Sequence, residues 1–111
     1  MTTKQIAAMI ASVGVPYVYY QFPDGTGQEP PCICFYYPES ADFYADNTAY
    51  MPAAKLIVEL YADKKDFTLE AALERVLTEN GLAWKREEAY LDSERMFLQA
   101  YRMIVPLTKE E

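Results

Sequence analysis

The sequence has 111 residues, of which 51% are apolar and 24% charged, a balance that suits one folded domain spanning residues 1–111 and excludes a disordered or fibrous chain. Lys and Arg number 10 against 17 Asp and Glu, and the net charge of -7 with scattered cations argues against sequence-specific nucleic acid binding. Histidine is absent, which removes Ser-His and Cys-His nucleophile pairs, imidazole acid-base chemistry and nearly all mixed zinc sites.

Thr2 followed by Gln5 has the form of a capping box, and Ile6, Met9, Ile10 and Val13 recur at helical spacing, so a helix is expected from Thr3 to Val13. Gly14 and Pro16 stop it. The aromatic and β-branched run Tyr17 to Phe22 predicts a strand. The turn formers of "PDGTG", Pro23 to Gly27, then read as a hairpin tip or a loop. A second strand is expected over "CICFYY", Cys32 to Tyr37, closed by Pro38. Residues 39–51 read either as a loop or as a short edge strand.

In "AKLIVELYA", Leu56, Val58 and Leu60 fall on one face and Lys55, Ile57, Glu59 and Tyr61 on the other, the alternation of an antiparallel strand with one buried side. Asp66 or Thr68 can cap the next helix, Glu70 complements its dipole, and Leu69, Ala72, Leu73, Val76 and Leu77 form its apolar stripe. Asn80 and Gly81 end it. Two further strands, "LAWKREEAYL" and "RMFLQAYRMIVPL", flank a turn at Asp92 and Ser93. The order α-β-β-β-α-β-β gives an α+β fold, a mainly antiparallel sheet of four to five strands packed with two helices. No apolar run approaches the roughly 20 residues of a spanning helix, and the first residues lack the layout of an export signal, so the expectation is a cytoplasmic location away from the membrane.

Candidate chemistry is sparse. Cys32 and Cys34 would share one strand face, but no other Cys or His completes a metal site, and they read as small buried residues. Asp42, Asp46 and Asn47, and separately Asp63 and Asp66, do not match a calcium loop. Glu87, Glu88, Asp92 and Glu94 read as a wet turn, since a glycosidase pair needs a cleft to hold it. A non-enzyme without cofactor or metal is therefore expected. Tyrosine is the surplus: ten residues, more than a small sheet can bury, and a ring with a hydroxyl at its rim suits surfaces that meet. Cross-strand aromatic pairing on a half-exposed face is the alternative.

Three strings stand out from Phe43 onward: Ala45, Asp46, Asn47 and Tyr50 in "ADNTAY"; Glu59, Leu60, Tyr61, Asp63, Lys65 and Asp66 in "ELYADKKD"; and Glu94, Met96 and Tyr101 in "ERMFLQAY". Together with Glu70 and Glu74 on the helix between them, they resemble small proteins of the tail-assembly segment of long-tailed bacteriophages and prophages of Gram-positive bacteria. The similar proteins are of the tail-terminator or tail-completion kind. The likeness spans Phe43 to Leu107. It implies a virion structural protein, assembled in the host bacterial cytoplasm, that forms a homo-oligomeric ring, often hexameric, and contacts tail-tube and head-connector proteins.

In such a ring, Phe43, Tyr44 and Tyr50 would supply buried area, with Asp46 and Asn47 supplying hydrogen bonds and orientation. Glu87, Glu88 and Asp92 are expected as acids lining a lumen through which DNA passes. The competing readings are a small monomeric binding or inhibitor domain that uses a tyrosine-rich sheet face, and a carboxylate-based or metal-dependent enzyme.

Overall fold

The computed structural model describes residues 1–22, 28–45 and 48–108. The capping box forms: Gln5 N donates to Thr2 Oγ1 at 3.1 Å while Thr2 N donates to Gln5 Oε1 at 2.9 Å, and helix α1 runs Thr3–Ala11. It ends two residues before Val13, where Val13 N and Gly14 N donate to Ile10 O and Ala11 O in tightened turns and Gly14 takes φ 94°. Ile6, Met9 and Ile10 are its buried stripe.

Strand β1 is Tyr17–Tyr19, shorter than expected because Tyr20 adopts φ 72° and turns the chain away. Strand β2, Cys32–Tyr36, pairs with β1 in parallel, Tyr17 opposite Ile33 and Tyr19 opposite Phe35. That pairing rules out a β1–β2 hairpin. Pro23 to Gly27 themselves lie outside the described residues.

The segment left open between loop and edge strand holds two strands, β3 (Phe43–Ala45) and β4 (Thr48–Met51), paired antiparallel as a sheet of their own. Strand β5, Ala53–Ala62, helix α2, Phe67–Glu79, and strands β6, Lys85–Leu91, and β7, Met96–Pro106, complete the chain. The main sheet has order β1-β2-β5-β7-β6, antiparallel except for the β1–β2 edge. The α+β expectation holds.

Both helices pack on one face of this sheet. Leu56, Val58 and Leu60 of β5, Ile33 and Phe35 of β2, and Tyr101, Met103 and Val105 of β7 join Ile6, Ile10, Leu73 and Leu77 in one buried cluster. The packing follows the period-2 pattern of the strands and the helical stripes read from sequence.

Helix α2 is fastened by polar contacts as well. Leu69 N donates to the Asp66 carboxylate at 3.0 Å, capping the first turn, and Tyr101 Oη donates to Glu74 Oε2 at 2.8 Å from the sheet below. Glu70, only 5% exposed, accepts from Arg86 Nη1 at 3.0 Å and from Lys65 Nζ at 2.9 Å. Lys65 also donates to Glu88, whose carboxylate accepts from Gln99 Nε2 at 2.7 Å. A buried carboxylate is tolerated only when its charge is answered in this way.

These contacts set a pH window. Hydrogen bonds from Lys65 and then Gln99 hold the Glu88 carboxyl below its ordinary 4.5, so its stabilisation is present above that value and lost as pH falls through the lowered one. Partial burial works against the Lys65 charge, but the bonds to Glu70 and Glu88 outweigh it and lift its pKa above 10.5. Its contribution is complete below that value and lost as pH rises past the raised one. Thermal unfolding followed by circular dichroism should give a plateau at intermediate pH with a fall on both sides, and Lys65→Met should shrink the alkaline fall.

Candidate functional site

The antiparallel pairing of β2 with β5 does not stop at the edge of the sheet. Lys55 N donates to Glu39 O at 3.0 Å, Ser40 bridges Ala54, and Ala41 N donates to Ala53 O at 2.9 Å. Beyond these, Phe43 lies opposite Met51, Tyr44 opposite Ala49 and Ala45 opposite Thr48. Strands β2 and β3 on one leg and β4 and β5 on the other are thus a single ribbon whose distal part stands outside the five-stranded sheet. Asp42 Oδ1 accepts from Ala53 N at 2.8 Å and fixes the point of departure. A register shift between Phe43 and Tyr44 adds local twist there.

This arm carries unusual apolar exposure. Phe43 and Tyr44 are each 62% exposed and Met51 57%. A two-stranded ribbon is marginal by itself in water. Of the residues expected at an interface, Phe43 and Tyr44 lie exposed on β3. Tyr50 lies on β4 with its side chain outside what is described, and Asp46 and Asn47, between the two strands, fall outside the described residues. Met51 was not anticipated. Its signal in the sequence is its position just before Pro52, a residue with no N–H to extend the ladder, on the leg facing Phe43.

The other tyrosines divide by place. Tyr101 is fully buried and meets Trp84 edge-on, with ring centroids 5.5 Å apart. Tyr17, Tyr19 and Tyr20 are exposed along the β1 edge and Tyr90 along β6. Several pair across strands: Tyr19 with Phe35, Tyr20 with Tyr36, Tyr90 with Phe97. Cross-strand pairing, the alternative to an interface, thus accounts for part of the tyrosine surplus. It leaves Tyr44 on the arm.

The acids considered for a lumen are not a uniform lining. Glu87 is exposed and 3.5 Å from Arg102 Nη1 on the sheet face away from the helices, whereas Glu88 is turned toward Lys65 and Gln99 on the helix side. Neighbours on a strand point to opposite faces, which is why the two part company. Asp92 is exposed in the turn between β6 and β7.

Among the described residues, no helix or second sheet layers over the sheet face away from the helices. Cys32 and Cys34 sit there, reduced and buried, beside Glu59, whose carboxylate accepts from Tyr61 Oη at 3.0 Å. Burial, then Cys32 and Glu59, push the Cys34 thiol up to about 11, the reverse of what a nucleophile or metal ligand requires. Among the described residues, no three Cys, Asp or Glu side chains gather to hold a metal ion, and no helix is long and apolar enough to cross a membrane.

No protein-family model matches this chain, and no curated protein matches it by sequence. Among solved structures, its fold is similar to that of a chain in the virion of a native gene transfer agent particle, with TM-score 0.57 and 16% identity, over 94% of this chain and 88% of that one. At that identity the likeness is one of fold.

Because Phe43 and Tyr44 are largely exposed, the double variant Phe43→Ser/Tyr44→Ser should keep its folding free energy within about 0.5 kcal/mol of the parent. Urea unfolding monitored by tryptophan fluorescence measures it, with Trp84 reporting on the core.

Proposed function

We propose that the chain is a non-enzymatic structural protein of a phage-type virion that works by associating with its own copies, as a ring at the tail end or the head-tail junction. The observation that carries this reading is the projecting ribbon: exposed Phe43, Tyr44 and Met51 on an arm set outside the main sheet, a shape with more value between molecules than within one. The fold likeness to a virion component over nearly the whole of both chains supports the same class, as does the tail-assembly resemblance of the sequence from Phe43 onward. The finer assignment, a tail terminator or completion protein with tail-tube and connector partners, rests on that sequence resemblance.

In this reading, Phe43, Tyr44 and Tyr50 bury area against a neighbouring copy while Asp46 and Asn47 orient the contact. Glu87 and Asp92 are exposed acids available to a lumen; Glu88 serves the fold. A monomeric binding module is the second reading, favoured by the aromatic edge at Tyr17, Tyr19 and Tyr20.

Light scattering and native mass spectrometry over a concentration series, with and without purified tail tubes, separate the two. A defined closed oligomer supports assembly, and a chain that stays monomeric under both conditions refutes it. Tyr50→Ala should leave the circular dichroism spectrum unchanged and weaken association by about 2 kcal/mol, the usual effect of truncating an interface anchor.

A further inference from the structure

Resting on the assembly reading, we propose that the seat for the arm is a groove on the open face of the sheet, so that β3–β4 of one copy lies against β5, β6 and β7 of the next. The groove has a volume of about 840 Å³. Its floor is Ile57 and Ile104, the latter near the end of β7, beyond its pairing with β6, and 57% exposed. Its rim holds Lys55, Lys85 and Arg102 against the single carboxylate of Glu39. Lys55 is paired with Glu39 and Arg102 lies 3.5 Å from Glu87, while Lys85 makes no ion pair among the described residues.

Charge picks the occupant. The chain as a whole carries -7, so two copies repel unless the surfaces that meet differ in sign. Three of the ten basic residues are gathered at this groove, and residues 42–51 of the arm include Asp42 and Asp46 but no Lys or Arg. The arm also brings Phe43, Tyr44 and Met51, apolar matter for the Ile57–Ile104 floor and rings for the Lys and Arg rim. Among the described residues, none of 43–51 lines this groove in the same chain. Strand β5 forms part of the groove at Lys55 to Ile57 and continues through Pro52 into the arm. The occupant is a second copy, and the contact joins two different surfaces, the kind that propagates head to tail until it closes.

Complementation tests this. The arm variant Phe43→Ser/Tyr44→Ser and the groove variant Lys85→Glu/Ile104→Glu alter exposed side chains, and circular dichroism verifies that each is folded. Alone, each should self-associate more than about tenfold more weakly than the parent, the scale for losing an anchor or reversing a charge at a contact. Mixed in equal amounts, they should form a heterodimer and nothing larger, because the mixture holds one intact arm and one intact groove per pair. Native mass spectrometry reads the masses.

A groove variant that assembles like the parent, while the arm variant does not, overturns this seat and leaves the assembly reading standing. Failure of the mixture to form a heterodimer, with both variants impaired alone, also overturns the pairing of these two surfaces. A parent chain that never associates, with or without tail tubes, removes the assembly reading itself and this inference with it.

Discussion

Strand β5 is hydrogen-bonded to β2 on one side and β7 on the other, and the alternation of its side chains decides which side of the sheet becomes the interior. With Leu56, Val58 and Leu60 pointing to the helices, Lys55, Ile57, Glu59 and Tyr61 must point the other way. A slip of one residue in either register would exchange the two sets, placing a lysine and a glutamate under the helices and the leucines in water. The same strand, run past Pro52 into β4, sets the direction in which the arm leaves. Core, open face and arm are thus consequences of one strand's register.

Helix α2 depends on a second constraint. A carboxylate as buried as Glu70 would be costly if unanswered, and Arg86 from β6 and Lys65 from the loop before the helix answer it. Both partners keep part of their surface in water, so the desolvation that makes deeply buried ion pairs weak is shared unevenly, with most of it falling on Glu70. The network ties the helix start to the edge strand β6, which is otherwise wholly exposed up to Tyr90. That edge strand therefore gains an attachment beyond its ladder to β7.

Elements with clear periodicity were legible in the sequence. The stripe Leu73–Leu77 and the alternation across Lys55 to Tyr61 could be assigned because burial on one side imposes a repeat that local reading detects. The Thr2–Gln5 box and the Asp66 cap were legible for the same kind of reason, being contacts between near neighbours. What was not legible is non-local. Nothing in residues 17–36 states whether β1 joins β2 from the same or the opposite direction, because both pairings use similar aromatic and β-branched residues. Residues 39–51 were ambiguous since a ribbon without a core on either face has no alternation to display. In the site, Phe43 and Tyr44 were singled out by composition, whereas the Lys55–Lys85–Arg102 gathering was invisible, as its members come from three strands that become neighbours only through the register of β5, β7 and β6.

The way the sheet ends limits how copies of this chain can meet. Sheet-to-sheet extension along an edge is the commonest unwanted association of β structure, and it needs a long, flat, uncharged strand. Strand β1 spans three residues and its exit at Tyr20 bends away with positive φ. Strand β6 is longer but opens with Lys85, Arg86, Glu87 and Glu88, charges of both signs, two of them already engaged with Glu70 and Lys65. Neither edge is a good template for a further strand. Beside Phe67 at the start of α2 and the aromatic β1 edge, the open face and the arm are surfaces with apolar area to give up. One is concave with a cationic rim and the other is a narrow aromatic ribbon without cations, and two unlike surfaces on one molecule are the minimum that a head-to-tail assembly requires.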